Sequence, residues 1–114
     1  MEKKDCIFCK IIAGEIPSKK VYEDEKILAF HDINASAPVH ILVVPKVHIE
    51  SLNGVSPDNI DYISRIMLKI PEIAKESGVS EGYRAVTNIG EDGGQSVWHL
   101  HFHILGGRKL KYMG

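Results

Sequence analysis

Three histidines, His99, His101 and His103, stand at every second position in the segment SVWHLHFHILGG, each pair separated by an apolar residue. An extended strand turns successive side chains to opposite faces, so the histidines share one face while Leu100, Phe102 and Ile104 share the other. Imidazoles two positions apart stand roughly 7 Å from one another along a strand. That spacing is too wide for all three to crowd a single ion, and it favours neighbouring roles on one face. A neutral imidazole that donates from one ring nitrogen to a carbonyl keeps a lone pair on the other, which makes it a directed nucleophile or base. His101, flanked on both sides, is the best placed for that role. Just upstream, GEDGGQS reads either as a plain hairpin turn or as an anion nest. In the second case the backbone N–H groups of Gly94, Gln95 and Ser96, with the Ser96 hydroxyl, would hold a phosphate beside His101.

The two cysteines of the chain, Cys6 and Cys9, form a CxxC pair. They are too close in sequence to make a disulfide framework, and no βαβ context supports a thioredoxin-like dithiol, although a redox switch stays open. His48 follows an apolar run and His99 is expected to open the last strand. Two cysteines and two histidines could therefore close a tetrahedral metal site across three distant segments. The stretch AFHDI, residues 29–33, ends a predicted strand with an aromatic residue, a histidine and a carboxylate. Read plainly, Phe30 is core, His31 is exposed and Asp32 is a turn residue. Read functionally, Asp32 accepts from ribose hydroxyls while Phe8, Phe30 and Ile33 wall a base.

These groups need elements to position them. Apolar residues at 7, 8, 11 and 12 predict a short helix carrying the CxxC, ended by Gly14 and Pro17. KKVYED and KILAFHD predict a hairpin turning near Asp24 and Glu25, and VHILVVP a buried strand closed by Pro45. From Ser56, a helix is predicted with Ser56 as N-cap, Pro57 at its first position and Gly78 beyond its end, with a kink or break at Pro71. YRAVTNI and the histidine segment should pair as antiparallel neighbours. Five strands and two helices define an α+β domain spanning residues 1–114. With 114 residues, 44% hydrophobic and 25% charged, the composition is that of a globular protein. A formal charge of −1 with scattered signs argues against nucleic acid or an anionic membrane surface as partner. No apolar run approaches a membrane span, so a cytoplasmic location is the default expectation.

HLHFHIL resembles the histidine triad signature, His-φ-His-φ-His-φ-φ with φ apolar. Together with CIFCKII, EIPSKKVYED, LAFHDI, HILVVPK, GYRAVTN and DGGQSV in the same order, the resemblance covers essentially the whole chain. It implies a five-stranded antiparallel sheet, joined to a second sheet across a homodimer, and a purine nucleoside monophosphate or its amine or acyl adducts as ligand. By motif position His101 would be the nucleophile that forms a nucleotidyl-histidine intermediate. His40 and His103 would flank it, and Ser96 would assist at the phosphate or leaving group. Asp32 would fall at the ribose, Asn88, Gly94 and Gln95 near the phosphate, and Phe8, Ile11, Phe30, His31 and Ile33 around the base. Cys6, Cys9, His48 and His99 match a structural zinc set, and the catalytic steps need no metal. Histidine at 103 and the short tail LGGRKLKYMG favour a phosphoramidase. The alternatives are a dinucleoside polyphosphate hydrolase and a nucleotide-binding scaffold with incidental activity. Tyr112, where a tryptophan is common, leaves the leaving-group preference open.

Overall fold

The computed structural model describes residues 5–112. Helix α1 spans Ile7–Ile12, strand β1 Lys20–Glu23, β2 Ile27–His31 and β3 Val39–Pro45. Helix α2 follows at Ile60–Glu76, then β4 at Tyr83–Val86 and β5 at Phe102–Gly106. The strands form one antiparallel sheet in the order β1-β2-β3-β5-β4. The hairpin turns where the sequence places it. The Asp24 carboxylate accepts from the Lys26 and Ile27 amides at 2.8 and 3.0 Å and from Arg65 of α2 at 2.7 Å. Partial burial works against its charge, but these hydrogen bonds and that of Tyr22 outweigh it and hold the carboxyl well below the usual range.

β2 and β3 are buried on both faces, which explains why ILAF and VHILVVP read as nearly continuous apolar runs. Ile27, Ala29, Ile41, Val43, Phe102 and Ile104 pack on one face against Ile63, Ile66, Ile70 and Ile73 of α2. Leu28, Phe30, Leu42 and Val44 pack on the other against Phe8 and Ile11 of α1. Two helices on opposite faces thus make a central sheet, and the α1 face receives the even-numbered residues of β3 and the odd-numbered histidines.

Three local expectations are corrected. α2 begins at Ile60, not at Pro57, because the preceding residues close a turn of their own. In it the Asn59 side chain accepts from the Ser56 amide at 2.8 Å and Ser56 Oγ accepts from the Asp58 amide at 3.2 Å. Pro71 does not break α2. Pro71 and Met67, whose carbonyl the proline leaves without a donor, both lie on the exposed side, where water can replace the missing bond. The helix ends at Gly78 in a left-handed turn, with Gly78 N–H on Lys75 O and Val79 N–H on Ala74 O. Finally, His99 and His101 precede β5, which starts at Phe102. The alternation still runs through them, since Leu100 joins Phe102 and Ile104 in the α2-side core.

Candidate functional site

The long connection from β4 to β5 carries most of the chemistry, and its shape follows from its glycines and one glutamine. A Cβ at Gly93 would lie 2.3 Å from the Ile89 carbonyl oxygen, so only glycine fits that turn. The Gly94 and Gln95 amides are spent within the turn, donating to Glu91 O and Gly90 O, each at 3.0 Å. The Gln95 side chain is buried and used at both ends. Its Nε2 donates to Glu50 O at 2.6 Å and Val97 O at 3.0 Å, and its Oε1 accepts from the Gly90 amide at 3.0 Å. The expected nest of three free amides is therefore not what this loop offers, and Ser96 alone of the three borders the cleft described below.

The three sequential histidines divide between two clusters. His99 is fully buried, and its Nε2 donates to the Pro45 carbonyl at 2.9 Å, which makes Nδ1 the unprotonated nitrogen. That Nδ1 lies 3.2 Å from Cys6 Sγ and 3.5 Å from Cys9 Sγ, and His48 Nδ1 lies 3.4 Å from Cys9 Sγ. The four donor atoms lie within 4.8 Å of one another. Zn–S bonds of about 2.3 Å and Zn–N bonds of about 2.1 Å at tetrahedral angles demand S···N edges of roughly 3.5 Å. The donor set, its spacing and the orienting bond from Pro45 therefore fit a zinc ion.

On the other side of the peptide, His101 Nδ1 donates to the backbone carbonyl of His99 at 2.7 Å. This is the tautomer that leaves Nε2 unprotonated, and the Phe8 ring packs edge-on against the imidazole with centroids 5.1 Å apart. Thr87 Oγ1 donates to the His101 carbonyl at 2.7 Å and fixes the backbone on its other side. A second chain of bonds runs from Ser36. Its amide donates to His40 Nδ1 at 3.0 Å, so the His40 proton resides on Nε2. That Nε2 lies 2.9 Å from His103 Nδ1 and 3.4 Å from Asp32 Oδ2. His103 therefore accepts at Nδ1 and carries its own proton on Nε2. Asp32, His40 and His103 also cluster closely enough to suggest a cation site. Ligation through His40 Nε2 would require it to lose its proton or break the Ser36 bond, so in this tautomer the group is a hydrogen-bonded chain that orients His103.

Burial lowers the pKa of all three imidazoles. For His101 the bond to the His99 carbonyl and the Asp32 charge partly offset it, and for His40 the Asp32 charge does. His103, buried beside His101 and His40, is pushed down to about 4. The lowering favours the neutral imidazole, the state in which His101 has an electron pair to give.

A cleft of about 350 Å³ opens beside them. Of the expected ligand contacts it is lined by Phe8, Ile11, Phe30, His31, Asp32, Ile33, Ser96, His101 and His103, with Ile33 at the rim and 96% exposed. Asn88, Gly94 and Gln95 are not among the lining residues, and His40 stands behind His103. Ile7, Ile16, Pro17, Ser18, Asn34, Leu42 and Val97 complete the walls and were not foreseen. Pairing parity could have found Leu42, which lies opposite both Phe30 and His103. The positioning groups of Ser36, Pro45 and His99 are backbone atoms and leave no mark on the sequence.

The HIT domain family model matches residues 13–110. The chain is 51% identical to Protein HitA of Neisseria gonorrhoeae, covering 90% of this chain and 95% of that protein. It is 47% identical to a 14 kDa zinc-binding protein of Brassica juncea, covering 95% and 97%. Among solved structures, a histidine triad protein from Clostridium difficile superposes with a TM-score of 0.93 at 55% identity over the full length of both chains. A HIT family hydrolase from Clostridium thermocellum gives 0.92 at 42% identity, covering 96% of each. The chain belongs to the HIT domain family, and its five-stranded antiparallel sheet with two helices is that family's fold.

Proposed function

We propose that the protein is a purine nucleotide hydrolase that cleaves nucleoside 5′-phosphoramidates or related adenylated adducts through a nucleotidyl-histidine intermediate. The observation that carries this is the His101 tautomer: Nδ1–H is tied to the His99 carbonyl at 2.7 Å, and Nε2 is free beside a ligand-sized cleft. Nε2 attacks the α-phosphorus and the bond from phosphorus to the leaving nitrogen breaks. The leaving nitrogen takes a proton from solvent at the cleft mouth and departs as the amine. His103, held by His40, keeps its Nε2–H and donates a hydrogen bond to the reacting phosphoryl group. Positive charge that develops on the His101 ring is stabilised by the carbonyl already accepting from it. Water then attacks the phosphorus, loses a proton to solvent and releases His101. Ser96, at the cleft mouth, is assigned to the phosphoryl oxygens. Asp32 is assigned to the ribose hydroxyls, and Phe8, Ile11 and Phe30 to the base, with His31 and Ile33 at its rim.

Cys6, Cys9, His48 and His99 are proposed to hold zinc, which ties α1, the segment after β3 and the approach to β5 together. The Brassica juncea relative's name and the donor geometry support this. The ion's contribution when bound is structural. We also propose a homodimer, since β4 is an edge strand and α2 leaves Met67 and Leu68 exposed. The test of the chemistry is to quench turnover of a slow adenylated amine and map the adduct by mass spectrometry. Nucleotide on His101 is expected, and an adduct on any other residue would remove the assigned nucleophile.

A further inference from the structure

Two buried side-chain polar atoms among the described residues make no hydrogen bond, His48 Nε2 and Ser18 Oγ. His48 belongs to the metal cluster. Ser18 does not, and it borders the cleft together with Phe30 and Asp32. An unpaired hydroxyl away from water is costly, and a site that leaves one beside an opening gives up stability there for something that can pair with it.

The backbone says what lies across from it. Lys20 pairs with Phe30, and the His31 amide donates to Lys19 O at 3.0 Å, so the antiparallel register continues past the end of β1. Two residues further, Ser18 falls opposite Asp32. Directly opposed residues in an antiparallel pair share a face, with Cβ atoms about 5 Å apart. Ser18 and Asp32 thus stand on the Phe30 face, the one that α1 covers. No protein partner holds the present Ser18 rotamer, so turning its Oγ to the cleft breaks no bond.

We propose that Ser18 is a sugar-reading residue that donates to one hydroxyl of the ribose diol while Asp32 accepts from the diol. This rests on the nucleotide assignment above. The pairing has a chemical logic. A carboxylate only accepts, so it satisfies the diol protons and leaves the diol oxygens unpaired, whereas a serine hydroxyl supplies the missing donor. One of Asp32's own sites is already filled by the Asn34 amide at 2.8 Å, which orients the carboxylate and leaves acceptor capacity for the sugar.

The experiment measures calorimetric affinity of the wild-type protein, Ser18→Ala and Ser18→Thr for AMP, 2′-deoxy-AMP and 3′-deoxy-AMP, with thermal unfolding of each protein. Ser18→Ala should bind AMP roughly three- to tenfold more weakly, as one lost hydrogen bond implies, with Ser18→Thr closer to wild type. For the analogue lacking the contacted hydroxyl, wild type and Ser18→Ala should bind alike. Removing an unpaired hydroxyl should leave the unfolding temperature unchanged or raised. Equal losses on all three nucleotides, or no loss on AMP that wild type binds, would overturn the sugar assignment while leaving the nucleotide reading intact. A folded wild type that binds none of the three would overturn both.

Discussion

Replacing Gln95 by alanine should destabilise the fold far more than it affects the chemistry, although motif position alone would put Gln95 beside the phosphate. Its side chain is buried and makes three bonds, to Glu50 O at 2.6 Å, to Val97 O at 3.0 Å and from the Gly90 amide at 3.0 Å. A net 0.5–1.5 kcal/mol for each bond, with part of the orphaned backbone regaining water, gives a loss of about 2–4 kcal/mol. Urea unfolding at pH 7 reads this directly as a lower midpoint at unchanged slope. Gln95→Glu keeps the acceptor for Gly90 but sets a buried carboxylate oxygen against two carbonyl oxygens, and should cost at least as much as alanine. AMP affinity measured well below the unfolding transition should change much less than stability does. A Gln95→Ala protein within about 0.5 kcal/mol of wild type that had lost AMP binding would refute the argument, since the glutamine would then be serving the ligand.

Metal analysis should find one zinc per chain, and its removal by a chelator, or Cys9→Ser, should lower stability; metal-free protein that readily forms a Cys6–Cys9 disulfide would favour the redox alternative instead. The buried histidines give a pH dependence whose sign is fixed by their lowered pKa values. Unfolded histidine binds its proton near pH 6.5, so unfolding takes up protons as pH falls below that value. Stability should decline from about pH 6.5 toward about 4, the value to which His103 is pushed. His103→Gln should flatten that decline in urea unfolding at pH 7 and pH 5, and an identical slope in the variant would contradict the assignment.

Much of the architecture was legible because local signals and burial agreed. VHILVVP is β3 to the residue, and the hairpin turns at Asp24 because one carboxylate takes two amides there. The start of α2 falls later than the sequence suggests because Ser56, which reads as an N-cap, instead closes a separate turn. Its hydroxyl takes the Asp58 amide while its own amide donates to the Asn59 side chain. α2 runs through Pro71 unbroken because Pro71 and Met67 both lie on the exposed side, which propensity cannot see. At the site, residue types single out His101 as the candidate and the sulfur–imidazole set that the fold brings together, since alternation and the CxxC spacing are visible in one dimension. Which face of the loop Gln95 takes, and which nitrogen of His40 is protonated, depend on backbone groups of Glu50, Val97 and Ser36 supplied by distant parts of the chain. Such partners carry no residue-type signature.

The most direct test of the central claim is hydrolysis of adenosine 5′-phosphoramidate by the purified protein at neutral pH, with His101→Ala as control. The account predicts release of AMP and ammonia by the wild type and loss of that turnover in a variant that still folds and binds AMP. Turnover that persists in His101→Ala, or a folded and AMP-binding wild type that releases no ammonia, would contradict it.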